Sequence, residues 1–234
     1  MLATKVDFAL LLYDEFDGSA INDANVVFRH KGRLATPLRK REGFYVFRGI
    51  GLAEVELEIS RPHYKTEKVS ILKSRLDKES PVERIRLLRE YPGNFPDCDW
   101  VSIRCPPDVA ALVFTEENEL KTGPPVLEED GAKISLMGYK PGRLLGRRYA
   151  LNMKDGLTFV VEKLIAPGVY GIDRAPAGKP GSGKMLYRAG LSRSGPDGCC
   201  RIPLEQGGRY RVAGAAYWDK EESKWVSVSV PEPP

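Results

Sequence analysis

The chain has 234 residues, of which 42% are hydrophobic and 29% charged, and this composition excludes both a disordered chain and an integral membrane protein. At roughly 100 to 200 residues per domain, the length predicts two domains. The net charge of +4 is small beside the 36 basic and 32 acidic residues, so the overall charge does not indicate a nucleic-acid or membrane partner.

Hydropathy along the chain predicts a cytoplasmic protein. The apolar run at residues 8–13 is too short for the core of a signal peptide, and acidic residues follow it closely. No segment approaches the roughly 18 uncharged apolar residues that cross a bilayer. In the cytosol the thiols of Cys98, Cys105, Cys199 and Cys200 are expected to stay reduced.

Glycine and proline are frequent, with 23 and 18 residues, and the short apolar runs between them have the composition of β-strands. In the first part of the chain such runs occupy residues 5–13, 25–30, 43–48, 68–72 and 82–88. A short helix over residues 76–89 is the alternative for the last of these runs.

Residues 53–59 alternate strictly between apolar and acidic side chains. Val55, Leu57 and Ile59 would share one face of a strand, while the three intervening glutamates would take the other. This pattern predicts a strand with one buried face and one face in water.

Residues 91–96 (YPGNFP) hold two prolines and a glycine, a composition that commonly separates domains. We therefore expect one domain at residues 1–92 and a second at 97–234, with 97–156 either forming its own subdomain or completing the part at 157–234. Strand-like runs in the second domain lie at residues 100–103, 109–114, 133–137, 157–164, 168–172, 209–218 and 224–230. The predicted fold class is all-β, with two β-sandwich-like domains and a terminal hairpin formed by the last two runs.

Several of these runs resemble one known family. Residues 13–28 (YDEFDGSAINDANVVF) place a turn before an I-x-x-A-x-V strand, residues 42–47 place a glycine before alternating aromatic positions, and residues 59–64 end a strand with Pro-x-Tyr. Together they resemble a carboxypeptidase-regulatory-like or transthyretin-like (Ig-like) β-sandwich over about residues 4–88. Residues 194–212 are similar to the D-G-x-x-x-I-x-L and G-x-Y-x-V stretch of the same family, as in a divergent second copy.

The resemblance implies a role without catalysis. Such sandwiches serve as folding, spacer or docking modules, so the chain is expected to be a structural or docking component of a larger assembly with protein partners, such as a phage-tail-like particle. These motifs are turn and core signatures and carry information on the fold more than on function.

Residues typical of catalysis or metal binding do not form a recognisable set. Residues 178–184 satisfy G-x-x-x-x-G-K, but Met185 stands where a P-loop needs Ser or Thr for Mg²⁺, and no helix is expected to follow. The cysteine spacing does not match paired zinc ligands. His30 ends a predicted strand and His63 lies in a predicted turn, and both are expected at the surface. Acidic pairs such as Glu116–Glu117 fall in predicted loops. We expect no catalytic residue, metal or cofactor, and an enzyme with an unrecognised site remains an alternative.

The candidate interaction residues are aromatic and basic. Tyr217, Trp218 and Trp225 crowd the terminal hairpin, where exposed rings would anchor a protein interface or, as a second alternative, stack on carbohydrate. Arg147 and Arg148 in one basic cluster, and residues 39–41 in another, would suit the rim of an interface with an acidic protein.

Overall fold

The computed structural model describes residues 6–93, 95–126, 132–138, 144–153, 156–176, 181–205 and 211–230, without the side chains of residues 117–119. These residues form eighteen β-strands and one 3-10 turn, which confirms the predicted all-β class. A helix with the length and hydropathy of a transmembrane span does not occur among them. The chain divides into two compact units, Met1–Glu15 with Ser19–Asn94, and Phe16–Gly18 with Phe95–Pro234.

The first unit contains two four-stranded sheets, an arrangement compatible with a β-sandwich. Its strands are β1 (Val6–Asp14), β2 (Val27–His30), β3 (Arg33–Ala35), β4 (Leu38–Arg39), β5 (Phe44–Arg48), β6 (Glu54–Ser60), β7 (Glu67–Leu72) and β8 (Val82–Leu87). One sheet has the order β4-β5-β1-β8 and the other β3-β2-β6-β7. Strand β1 runs antiparallel to β5 and parallel to β8.

Aromatic rings pack between the two sheets of this unit. Phe28 of β2 lies against Tyr45 and Phe47 of β5, with ring centroids 5.0 and 5.3 Å apart. Phe47 also stacks on Phe8 of β1 at 4.8 Å. The buried hydroxyl of Tyr45 donates to the carbonyl of Ile21 at 3.2 Å, so the one polar atom in this cluster is hydrogen-bonded.

The alternating run at residues 53–59 behaves as predicted. Val55, Leu57 and Ile59 of β6 are at most 2% exposed, while Glu54 and Glu56 face solvent. The alternative of a helix over residues 76–89 is wrong. The 3-10 turn Lys73–Arg75 ends before it, and β8 is held extended by its pairing along the buried strand β1.

The second unit is built around one eight-stranded sheet. Its strands are β9 (Cys98–Arg104), β10 (Ala110–Thr122), β11 (Lys133–Met137), β12 (Arg148–Ala150), β13 (Thr158–Ala166), β14 (Val169–Ile172), β15 (Met185–Arg193), β16 (Cys199–Glu205), β17 (Val212–Asp219) and β18 (Lys224–Val228). The sheet order is β11-β14-β13-β12-β15-β10-β17-β18, and an additional pairing of β10 with β11 closes the first six strands into a ring.

The ring encloses its own hydrophobic core, to which each of its six strands contributes. The buried members are Leu120, Ile134, Leu136, Leu144, Tyr149, Phe159, Val161, Tyr170, Ile172 and Leu186. Strand β10 is central to the unit, because it pairs with β15 from Ala110 to Lys121, with β17 along its first part and with β11 at its end.

A two-stranded sheet of β9 and β16 packs over a second core on the sheet. Gly190 of β15 permits this close approach, since a Cβ there would lie 2.8 Å from Ile202 Cγ2. Strands of residues 97–156 pair with strands of residues 157–234 in both sheets, β9 with β16 and β10 with β15 and β17.

One local prediction in this unit is wrong. Glu116 and Glu117 lie inside strand β10, opposite Tyr187 and Leu186 of β15, and not in a loop. Backbone pairing with β15 carries the strand through the polar residues that end its apolar run.

Candidate functional site

The terminal hairpin brings together two of the predicted interaction residues. Trp218 of β17 and Trp225 of β18 lie directly opposite in the register. Their rings form a T-shaped pair with centroids 5.7 Å apart and 67° between the planes, a favourable arrangement for aromatic rings. Both are half-buried, so each retains surface for a contact.

The two tryptophans are held differently. The indole of Trp225 packs against a core cluster that includes Leu112 and Phe114, and it covers Gly156, where a Cβ would lie 2.2 Å from Trp225 Cγ. Trp218 contacts Trp225 through the T-shaped ring pair. Trp225 is therefore the anchored member of the pair and positions Trp218.

Tyr217 lies on the opposite face of β17 from the tryptophan pair. It packs against the core beneath β9 and β16, in agreement with the alternation of side chains along a strand. The structure thus separates the three predicted aromatic residues into a tryptophan pair on one face and a core tyrosine on the other.

The tryptophan pair lies at an edge of the sheet. Strand β18 is the last in the order of the eight-stranded sheet, and no strand in the described part of the chain pairs with its outer side. An edge strand presents unpaired backbone N–H and C=O groups that another chain can bind. The aromatic pair and the free backbone edge therefore belong to one surface.

Arg147 and Arg148 bind groups of their own unit. Arg147 Nη2 lies 3.3 Å from Glu205 Oε1, and Arg148 Nη1 donates to Thr158 Oγ1 at 2.9 Å. Three strands, β15, β10 and β17, separate β12 from β18 in the sheet order. The structure does not place these arginines beside the tryptophan pair.

Glu205 also forms an ion pair with a second arginine, which the sequence did not indicate. Arg188 Nη1 also pairs with its carboxylate, and the Arg188 side chain is only 10% exposed. Burial alone would raise the pKa of Glu205, but Arg188 and Arg147 outweigh it and hold that pKa below its usual value. The sequence did not indicate Arg188, because apolar and polar side chains do not alternate clearly along β15.

The first unit contains a buried ionic cluster, which the sequence also did not indicate. Asp14 Oδ2 accepts hydrogen bonds from Arg89 Nε at 2.8 Å and from the Tyr64 hydroxyl at 2.6 Å. Asp14 and Arg89 are 1% and 5% exposed. Burial and the Asp14 carboxylate together raise the pKa of Tyr64, so its hydroxyl stays a donor. Tyr64 ends the Pro-x-Tyr motif, and its role here is structural.

The residues considered for nucleotide or metal binding give little support for either. Residues 178–180 of the G-x-x-x-x-G-K segment lie outside the described residues. At its end, the backbone of Lys184 is hydrogen-bonded to Thr122, and strand β15 follows. A P-loop would be followed by a helix instead. The described residues include no cluster of three or more His, Cys, Asp or Glu side chains suited to a metal ion. None of the four cysteines is in a disulfide.

No protein-family model matches the chain, and comparisons with curated proteins and with solved structures find no match.

Proposed function

We propose that this chain is a non-catalytic structural or docking component of a larger protein assembly. The observation that carries the proposal is the half-buried Trp218–Trp225 pair beside the free edge of β18. Tryptophan is enriched among the residues that dominate protein interfaces, and an open strand edge adds backbone hydrogen bonds to the same contact.

The proposal extends to the fold family and to the kind of assembly. We assign residues 4–88 to the carboxypeptidase-regulatory-like or transthyretin-like (Ig-like) sandwiches and the C-terminal part to a divergent second copy. Support comes from the two four-stranded sheets and from Tyr64, a motif residue with a defined partner in Asp14. Such modules act as spacers and docking units, as in a phage-tail-like particle.

We also propose that the protein acts in the cytoplasm, alone or within such a particle, with protein rather than nucleic acid or membrane as its partner. Four cysteines without a disulfide between them suit a reducing compartment. The guanidinium groups of Arg147 and Arg188 are both engaged by Glu205, whose carboxylate offsets part of their charge and so reduces the potential that would attract a polyanion.

Carbohydrate binding by the same aromatic residues is the second candidate. A sugar ring stacks on an open indole face, whereas the T-shaped pair turns an edge of one ring to a face of the other, and Trp225 also covers Gly156. Titration with soluble polysaccharides, followed by tryptophan emission, tests this candidate. Unchanged emission excludes it, and a saturable shift that Trp218→Ala abolishes would favour it over the assembly role.

The assembly role is tested by affinity purification from the native host, with chemical cross-linking and mass spectrometry of what co-purifies. The wild-type chain should retain the subunits of one particle, and Trp218→Ala should lose them. Trp100→Ala is the matched control, because Trp100 of β9 packs its ring against Phe95 and is not a member of the Trp218–Trp225 pair. Equal recovery with Trp218→Ala and with wild type would contradict the proposed interface.

A further inference from the structure

A second edge, in the first unit, carries a different chemistry. Residues 29–41 contain six basic side chains and one histidine, and the segment has no Asp or Glu; the basic residues are Arg29, Lys31, Arg33, Arg39, Lys40 and Arg41. Two leucines are exposed among them, Leu34 at 70% and Leu38 at 44%. The segment is therefore both cationic and apolar at its surface.

The backbone places this segment at the edges of both sheets. Lys31 and Gly32, with φ of 49° and 75°, form the two-residue turn between β2 and β3. Strand β3 ends one sheet and β4 ends the other, and each pairs on one side only within the described part of the chain. We call residues 29–41 the cationic edge.

An open groove lies along the cationic edge. It is lined by His30, Lys31, Arg33, Leu34, Ala35 and Ile50. The basic side chains surround an apolar surface at the bottom of the groove. His30 Nδ1 donates to the Glu56 carbonyl at 2.9 Å, since a carbonyl oxygen can only accept. Asp7, which accepts the N–H of Ile50, is already paired with Lys73 at 2.6 Å.

The charges of the cationic edge are available for binding. Among the residues that the structure describes, no carboxylate lies within ion-pair distance of Lys31, Arg33, Lys40 or Arg41, which are all exposed. A neighbouring groove across β2, β6 and β7 is more nearly balanced in charge, since Arg29, Lys31 and Lys68 share it with Glu56 and Glu58. The neighbouring groove therefore offers an internal control.

We propose that the cationic edge binds an extended acidic segment of a protein partner, whose apolar side chains enter the groove and whose backbone pairs with β3. This inference rests on the proposed docking function and names a second partner surface for it. Charge complementarity requires an acidic occupant, the apolar floor requires apolar side chains, and the free strand edge requires a peptide backbone.

Other polyanions satisfy fewer of these requirements. A single-stranded nucleic acid binds through aromatic side chains that stack on its bases, and residues 29–41 between Phe28 and Phe44 contain no aromatic ring except His30. An anionic lipid surface would use the charges and leucines but leaves the backbone edge of β3 unpaired.

The test uses the full chain and a fluorescein-labelled peptide of alternating glutamate and valine, about ten residues long, with binding followed by fluorescence anisotropy. The peptide should bind, and its affinity should fall at least tenfold, in order of magnitude, between about 50 and about 300 mM salt. Arg33→Glu should weaken binding by roughly tenfold or more, while Lys68→Glu in the balanced groove changes it less than about twofold.

Three comparisons complete the experiment. A peptide of the same sequence with N-methylated backbone amides has no N–H to pair with β3 and should bind at least about tenfold more weakly. Equal affinity for an alternating lysine–valine peptide, or equal affinity of Arg33→Glu and wild type, would overturn the inference. So would tighter binding to oligo-thymidine or to phosphatidylserine vesicles than to the acidic peptide.

The inference and the proposed function fail separately. If the acidic peptide does not bind while Trp218→Ala still removes partners from the purified wild-type complex, the cationic edge is not a docking site and the assembly role stands. If the wild-type chain has no partners, the assembly role fails whatever the peptide does.

Discussion

The two edges proposed as docking sites differ in the chemistry that they offer. In the first unit, β3 and β4 present cations and exposed leucines, and in the second unit β18 presents a tryptophan pair. Contacts of the cationic edge are expected to weaken with salt, whereas burial of an indole is nearly insensitive to salt. If both edges bind as proposed, one chain would hold two partners, or two parts of one partner, through contacts that respond differently to salt.

The largest expected effect comes from breaking the buried ionic cluster that supports the first unit. Arg89→Ala leaves the Asp14 carboxylate buried without its guanidinium, and we expect a loss of about 3–5 kcal/mol in the free energy of unfolding. All three tryptophans, Trp100, Trp218 and Trp225, lie in the second unit. The midpoint of urea unfolding should therefore fall strongly when it is followed by far-UV circular dichroism, and less when it is followed by tryptophan emission.

The exposed Arg84 of β8 provides the matched control for that experiment. Arg84→Ala should change the free energy of unfolding by no more than about 0.5 kcal/mol. A small effect of Arg89→Ala, similar to that of Arg84→Ala, would show that the buried pair does not support the unit.

The Trp218–Trp225 pair beside β18 is tested by replacing each of its two tryptophans in turn. Trp225→Ala removes packing over Gly156 and should cost about 2–3 kcal/mol in the stability of the second unit. Trp218→Ala should cost about 1 kcal/mol, the order of an aromatic pair contact. Both are measured by urea denaturation, and equal losses would contradict the distinction between a positioning and a contacting tryptophan.

The Glu205 cluster gives the second unit a pH dependence. Because the pKa of Glu205 lies below its usual 4.5 in the folded state, its stabilisation is present above the pKa of the unfolded chain and is lost as pH falls through the folded value. The unit should lose about 1 kcal/mol between about pH 5 and pH 3, since Glu205 is half-exposed and screened by solvent.

Glu205→Gln is the variant that isolates this contribution. It should flatten the acid limb of stability followed by tryptophan emission. The part of the circular dichroism transition that comes from the first unit, to which Asp7 contributes, should be largely unchanged. The pKa of Asp7 is itself lowered, because Lys73 and the N–H of Ile50 outweigh its burial. An unchanged acid limb in Glu205→Gln would contradict the assignment.

The smallest effect is expected for the cationic edge itself. Arg33 is exposed and unpaired among the described residues, so Arg33→Ala should change the free energy of unfolding by less than about 0.5 kcal/mol. Thermal denaturation compared with wild type measures it. A larger loss would indicate that the cationic edge is needed for folding. Weaker peptide binding by its variants would then reflect unfolding and not the loss of a contact.

Much of the fold follows from the sequence because patterning and turn residues are local signals. Alternation along β6 located Val55, Leu57 and Ile59 in the core, and the polar tip between residues 218 and 224 located the terminal hairpin. The strands that escaped prediction carry weaker patterns. Strand β15 is partly buried on both faces, β12 has three residues, and the end of β10 is polar.

The interaction surfaces were only partly predictable. Side-chain alternation correctly placed Tyr217 and Trp218 on opposite faces, but which ring is anchored depends on Gly156, which is distant in sequence from Trp225. The arginines Arg147 and Arg148 were candidates on charge alone, and their partners Glu205 and Thr158 come from other strands. Long-range pairings of this kind leave no local signal in one chain.

The central claim is that this protein works within an assembly, and gel filtration of the native-host lysate tests it most directly. Followed by an antibody, the 26.1 kDa chain should elute far above its own mass, together with the subunits to which it cross-links. Trp218→Ala should shift it toward the monomer position. Elution of the wild-type chain at about its own mass, with no cross-linked partner, would contradict the account.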